Sequence, residues 1–319
     1  MENQTTELYL NLWRYMSPVV LVVGLIGNIL SLLVMRFTSM KYTTLSIYLS
    51  MLAVSDIGLL IFGLGPNWGL YVHQFNLRAT HAWVCKFHAL IVHCCRDLSA
   101  WMLVCVTLER LVIVYRPMRA KILFTSRRTI LTIFVVMVTL VLINCHFLVN
   151  MTVTVAQNAT AEMKPILYKA TTQNQTFHNR TIYKRNETAS IEMDICQNFK
   201  YSEGFYSYYW TWIDGCVASF FPFTLIFICN LLIVIHLIKA ESRRNIRMNV
   251  INSSSDDATK SMTVTLIAIS IVFLLLTAPA VIVLIAVNLK IIKDPTYELT
   301  PDDKLLITVG YMLEYSNCA

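Results

Sequence analysis

The chain of 319 residues is 56% hydrophobic and only 14% charged, with a mean hydropathy of +0.58. A soluble globular domain carries about 25% charged residues, so the composition excludes an ordinary water-soluble protein and points to a membrane one. The net charge of +7 would suit nucleic acid, but the basic residues are dealt into alternate loops between apolar runs, which removes nucleic acid as a partner.

A bilayer core about 30 Å thick takes roughly 20 apolar residues in a helix. Residues 1–17 read as an extracellular amino-terminal tail with a glycosylation sequon at Asn3. They lack the basic-then-apolar order of a cleavable signal peptide, because Glu2, Glu7 and Arg14 interrupt it. Residues 18–319 read as one seven-helix domain, with spans at 18–35, 45–70, 84–115, 129–149, 211–238, 261–287 and 305–319. The first serves as an uncleaved anchor. The last reaches only about 22 Å and ends on apolar Cys318-Ala319, so the chain is expected to be truncated within its seventh span. The expected fold is an all-α bundle of seven transmembrane helices in a multi-pass plasma-membrane protein.

Loop charge sets the orientation. Twelve Lys and Arg residues fall in the first, third and fifth connections, among them Arg36, Arg128 and Arg243, against five in the tail and the other short connections. Positive loops stay inside, which puts the amino terminus outside. Further sequons at Asn158, Asn174, Asn179 and Asn186 agree, since all fall on the same outer side. They lie in a polar outer loop over 150–208 that has no sustained periodicity. The inner loop over 239–260 has the same flexible character, and its arginines suit a basic helical extension toward a cytoplasmic partner or anionic lipid. Most of the nine cysteines sit in apolar spans as small hydrophobes. Cys85 and Cys196 instead face the oxidising side, where a disulfide persists.

Ionisable residues at membrane depth are costly and mark function. In the third span Arg96, Ser99, Leu103, Val106 and Arg110 step by three or four along one stripe, with Asp97 and Glu109 beside it. Adjacent helical residues do not face each other, so Arg96 and Asp97 each need a partner elsewhere. Asp56, Asp214 and Glu314 are the other carboxylates within spans.

These residues resemble the rhodopsin-like (class A) G-protein-coupled receptors over essentially the whole chain. The resemblance is carried by Gly27-Asn28, by "LAVSD" ending in Asp56, and by Cys85 with "ERL" at Glu109-Arg110-Leu111 followed by "YRP". Pro222 in "FFPF" and Phe273 and Pro279 in "FLLLTAPA" complete it. The resemblance implies a Cys85–Cys196 disulfide pinning the outer loop to the third helix. It implies a polar core of Asn28, Asp56 and Ser99 around an allosteric sodium ion, and no other metal or cofactor. Arg110 would be held by Glu109 until activation and then meet a heterotrimeric G protein, with arrestin a second partner there. Pro222, Phe273 and Pro279 would be the packing and kink positions for rearrangement of helices 5 and 6, and membrane lipids would surround the bundle.

Four departures stand out. "ERL" replaces the commoner acidic-Arg-Tyr triplet, the fourth span lacks its usual Trp, Thr277 stands where the family has Trp, and the chain stops before the Asn-Pro-x-x-Tyr motif. Amine receptors place an Asp where Val92 stands, and opsins a Lys within the last span, where 305–319 has none. A peptide ligand is expected, because "KFHALIVHCCRDLSAWMLVCVTLERLVIVYRP" resembles invertebrate receptors of the FMRFamide-receptor type. Its pocket is expected at Val92, His93, Arg96, Asp214, Thr277 and Glu314, with a carboxamide end near Arg96 and a basic residue against Glu314 or Asp214. A lipid or other small molecule is the alternative ligand. A transporter is the alternative class, opposed by the lack of internal repeats. An enzyme is not expected: no HExxH or GxSxG occurs.

Overall fold

The computed structural model describes residues 2–38, 43–73, 75–156, 193–198, 209–246, 254–294, 297 and 299–319. Among the described residues, six helices are long and apolar enough to cross a membrane. They are α1 (Gln4–Phe37), α2 (Thr44–His73), α3 (Ala82–Tyr115), α4 (Ser126–Asn150), α5 (Thr211–Lys239, continuing to Ile246) and α6, whose apolar part is Ser270–Lys293 within Ser254–Lys293. The seventh, α7 (Pro301–Asn317), has 17 residues. Together they form the seven-helix membrane bundle expected.

Burial runs opposite to that of a soluble domain. Val22, Ile26, Phe134, Leu142, Phe227 and Leu275 are exposed, while Asp56, Asp97, Glu109, Arg110, Asn144 and Glu314 are inside. Exposed apolar surface on this scale is covered by lipid tails. Without water at that depth, polar side chains close on their own backbone. Thr132, Thr139 and Thr224 each donate to the carbonyl four residues earlier, at 2.7–3.0 Å.

α3 is the central post. Its apolar stretch is 56% buried against 11% for α1, and it packs on α2, α4 and α5. Leu98, Met102 and Val106 meet Leu45, Tyr48, Ile133 and Leu140 on one side, while Ala100, Leu103 and Val104 meet Ile226 and Phe273 on the other.

Prolines shape three helices in one way. A π-helical turn precedes Pro18 (Leu12–Met16), Pro66 (Leu60–Leu64) and Pro222 (Cys216–Phe220). Pro has no N–H, and its ring crowds the carbonyl four residues back. Widening the preceding turn relieves that clash without breaking the helix. Pro279 sits inside continuous α6, and Pro117 and Pro301 open helices, where no N–H is needed.

Several boundaries differ from the sequence expectation. Residues 2–16 are not a separate tail: Glu2–Asn11 is helical and runs through the first π turn into α1. The all-α bundle carries a strand pair in its outer loop. Strands β1 (Met151–Ala156) and β2 (Met193–Asn198) form an antiparallel pair with Val153 opposite Cys196. Cys196 is disulfide-bonded to Cys85, as expected, so the hairpin is fastened over the start of α3. The inner loop is shorter than 239–260, because α5 continues to Ile246 and α6 starts at Ser254. Asn158, Asn174, Asn179 and Asn186 lie outside the described residues, and Asn3 falls on the first helical stretch.

Close helix contacts rest on small residues. A Cβ on Gly310 of α7 would lie 2.9 Å from the Ala280 Cα of α6, whereas one on Gly65 meets nothing nearer than 3.8 Å. Gly310→Val should therefore push α6 from α7 and cost about 1–3 kcal/mol, read as a lower thermal unfolding midpoint of the purified chain. Gly65→Ala is the control and should leave the midpoint within experimental scatter.

Candidate functional site

A cavity of 730 Å³ opens at the Cys85 end of the bundle. Its walls come from α1, α2, α3 and α7, with Met151 and Cys196 of the hairpin at its rim. Of the expected pocket residues, Val92, His93, Arg96 and Glu314 line it. Thr277 does not: it is buried on α6, with no hydrogen-bond partner for its hydroxyl among the described residues. Asp214 does not line it either, because it faces α3 and is engaged there.

That engagement is the electrostatic centre of the site. Arg96 of α3 donates a hydrogen bond to the Asp214 carboxylate of α5, and His93 Nδ1 lies 3.2 Å from the same oxygen and 2.8 Å from the guanidinium. The Arg96 Nε is 3.8 Å from Asp97 and 4.0 Å from Glu314, without a hydrogen bond to either. Asp97 points toward α4 and accepts from Asn144 Nδ2 at 2.9 Å. One guanidinium is thus surrounded by three carboxylates. The expectation that Asp214 is available to a ligand's basic group is corrected, since Arg96 and His93 occupy it. Arg96, for its part, gives one terminal nitrogen to Asp214 and keeps its Nε without a hydrogen-bond partner among the described residues.

The residues missed by sequence reasoning are mainly aromatic. Tyr9 and Trp13 lie one helical turn apart in the stretch read as a tail. Trp13 stacks on Tyr71 at 4.9 Å and donates to Thr308 Oγ1 of α7 at 3.1 Å, closing one wall. Tyr311 and Tyr315 of α7 add to the lining, and Asn67 donates to the Tyr315 hydroxyl at 3.5 Å. The i, i+4 spacing of Tyr9 and Trp13 was the available signal. Arg78, in the connection between α2 and α3, also lines the cavity. Burial pulls its guanidinium below the ordinary value, against the opposing effect of nearby Tyr315, Tyr71 and Tyr311.

Below this cavity Ser99 Oγ donates to Asp56 Oδ1 at 2.6 Å, joining α3 to α2. Asn28 does not bond Asp56 directly; its amide donates to the carbonyls of Gly24 and Cys318, at 2.9 and 2.5 Å. At the far end of α3 Glu109 and Arg110 attract each other electrostatically, without a close hydrogen-bonded pair among the described residues. Glu109 accepts from the Thr44 hydroxyl of α2, and Arg110 Nε is buried without a hydrogen bond. The cause is the helical step of about 100°, which aims neighbouring side chains at different helices. Phe273 packs edge-on against Phe223 at 5.7 Å, one turn below the π turn ended by Pro222.

The charge cluster makes a sharp prediction. Breaking a buried pair by removing one partner costs about 3–5 kcal/mol, while replacing both by apolar residues can be neutral. Arg96→Met should therefore lower the thermal midpoint markedly, and adding Asp214→Leu to it should restore part of the loss. A double variant no more stable than Arg96→Met would show that the two residues are not coupled.

The sequence pattern of the 7 transmembrane receptor (rhodopsin family) matches residues 27–319. Over 130 residues the chain is 28% identical to the FMRFamide peptide receptor frpr-18 of Caenorhabditis elegans, covering 40% of this chain and 30% of that one. It is 34% identical over 116 residues to the human growth hormone secretagogue receptor type 1, covering 36% of this chain and 31% of the receptor. With the human motilin receptor it shares 30% identity over 113 residues, 34% of this chain and 26% of that one. The chain therefore spans less than a third of the length of these curated relatives in the matched stretches. With the pattern matched from 27 to 319 of a seven-helix bundle, this chain belongs to the rhodopsin family of seven-transmembrane receptors.

Proposed function

We propose that the chain binds an extracellular peptide in the cavity at the Cys85 end and, in response, activates a heterotrimeric G protein at the Arg110 end. The observation that carries this reading is the two-ended character of α3. One helix lines a cavity of peptide-end size with Val92, His93 and Arg96, and places the buried, adjacent Glu109 and Arg110 at its other end. Cavities of about 300–1,000 Å³ suit small ligands or the end of a peptide. The relatives' names, which specify FMRFamide peptide, growth hormone secretagogue and motilin, favour a peptide over an amine.

The mechanism follows from differential affinity, since a ligand indifferent to two conformations shifts nothing. A ligand that contacts α3 and α7 while leaning on the Arg96–Asp214 bridge acts on α5 through that bridge. α5 is tied to α3 again where Trp101 donates to the Val217 carbonyl at 3.0 Å. The Phe223–Phe273 contact then passes the movement to α6, whose outward shift would expose Arg110 to the Gα carboxyl-terminal helix. Thr277 is too small to act as an aromatic relay, so Phe273 takes that load. Asp56 and Ser99 offer a buried carboxylate and hydroxyl that fit a sodium ion, and no Lys, Arg or His lies within ion-pair distance of Asp56 among the described residues. Bound there, sodium would supply positive charge and hold α2 to α3 in the resting state.

Two outcomes are expected in cells expressing the chain and exposed to a neuropeptide panel, with calcium and cyclic AMP as readouts. Arg110→Ala should abolish the response while leaving binding of the active peptide intact; peptide-dependent solute flux without any G-protein response would favour the transporter instead. Thr44→Val should raise ligand-independent signalling, because a hydrogen bond to a charged group contributes about 1.5–3 kcal/mol and its loss releases Glu109. Basal activity equal to wild type would show that Thr44 does not restrain the receptor.

A further inference from the structure

Glu314 is the one cavity-lining carboxylate at the cavity floor, and no hydrogen-bond donor reaches it among the described residues. It is 9% exposed, and its nearest cation, Arg96 Nε, stands 4.0 Å away without hydrogen-bond geometry. Arg96 cannot neutralise it fully. That guanidinium is hydrogen-bonded to Asp214 and has Asp97 nearer than Glu314, at 3.8 Å. One positive charge against three carboxylates leaves a formal excess of two negative charges, and a buried charge without a partner is expensive.

We infer that the cavity floor is a cation-binding subsite in which Glu314 receives an ammonium or guanidinium group of the ligand. The inference rests on the peptide-receptor reading above and narrows it to a ligand whose entering end is positive. The walls agree independently. Trp13 and Tyr71, stacked on each other, and Tyr311 and Tyr315 line the same cavity, and aromatic faces attract a desolvated cation. On the same wall Arg78 forms no ion pair with any described carboxylate, which places a counterpart for a carbonyl or carboxylate next to the cation. The arrangement reverses the expectation of a neutral carboxamide held by Arg96: the arginine positions Asp214, and the carboxylate of α7 meets the ligand. The cation can come from a free peptide amino terminus or from a Lys or Arg side chain.

The test uses the purified chain in detergent and the thermal unfolding midpoint, with phenethylammonium and 3-phenylpropionate as probes of similar size and opposite charge. Phenethylammonium should raise the midpoint through Glu314, whereas any shift by 3-phenylpropionate, whose carboxylate has Arg78 as its counterpart, should survive Glu314→Gln. Glu314→Gln should weaken the apparent affinity for phenethylammonium by about tenfold or more, while Glu314→Asp, which keeps the charge, should retain the preference for the cation. An unchanged phenethylammonium shift in Glu314→Gln, or one lost equally in Glu314→Asp, overturns the proposal. Three alanine pentapeptide amides then identify the source: one with a free amino terminus, one acetylated with a single lysine, and one acetylated and uncharged. Displacement of phenethylammonium by either of the first two supports the subsite and names the group, and displacement by the third overturns it. None of these readouts needs a G protein, so a chain that binds the cation through Glu314 but fails to signal refutes the receptor reading alone.

Discussion

Absence of water from the bilayer core is the constraint on which this structure depends. A charged side chain at that depth must find its partner within the bundle, and α3 carries four such side chains in two adjacent pairs. Because a helix turns about 100° per residue, neighbours in sequence are sent to different helices. Arg96 goes to Asp214 of α5, Asp97 to Asn144 of α4, and Glu109 to Thr44 of α2. Two local charge pairs in the sequence thus become three tethers in space, which accounts for α3 standing at the centre. Arg110 is the member whose Nε has no hydrogen-bond partner among the described residues, although the Glu109 charge acts on it, and it lies about 21 Å along the helix from Arg96.

The same constraint explains the proline positions. A carbonyl freed by proline inside a membrane must be widened past, rebonded or left to cost energy. α5 shows rebonding: the π turn before Pro222 contains Val217, whose carbonyl has the proline ring nitrogen five residues on and accepts from Trp101 of α3 instead. A backbone defect on one helix has become a link to another. That link sits between the Arg96–Asp214 bridge and the Phe223–Phe273 contact, so α5 is joined to α3 above its irregular turn and to α6 below it. A helix held in this manner can change at the π turn without losing either contact.

What was legible in the sequence divides along physical lines. Apolar runs located the helices because lipid demands them, and the starts of α2, α3 and α4 fall within three residues of expectation. Helix ends outside the lipid were not legible in the same way. Hydropathy reports membrane thickness, while the hydrogen-bond ladder of α6 begins earlier, at Ser254, through a polar stretch. The aromatic wall made by Tyr9 and Trp13 was hidden because the segment around them is polar enough to resemble a tail. The charged residues were visible as anomalies, and helical geometry foretold that Arg96 and Asp97 diverge. Their partners were not foretold, since pairing across helices depends on rotation and depth that no local pattern encodes. Thr277 and Asp214 show the limit: one fills a position taken from a resemblance, the other is a charge at the right depth, and the packing takes both away from the cavity.

Between the cavity and Arg110, α3 holds Ser99 against Asp56 of α2, and α7 reaches the same level, where the Cys318 carbonyl accepts from Asn28 of α1. Four helices therefore meet in one polar layer midway along the bundle. A ligand cation at Glu314 would act on α7 only one helical turn above Cys318. Its first mechanical effect would fall on this layer, in parallel with the route through Arg96 and α5. Two routes starting from one charge cluster, one toward α2 and α1 and the other toward α6, would give the bundle a means of requiring both before Arg110 is exposed. A ligand that merely filled the cavity, without supplying the positive charge, would leave the excess carboxylates as they are and have no purchase on either route.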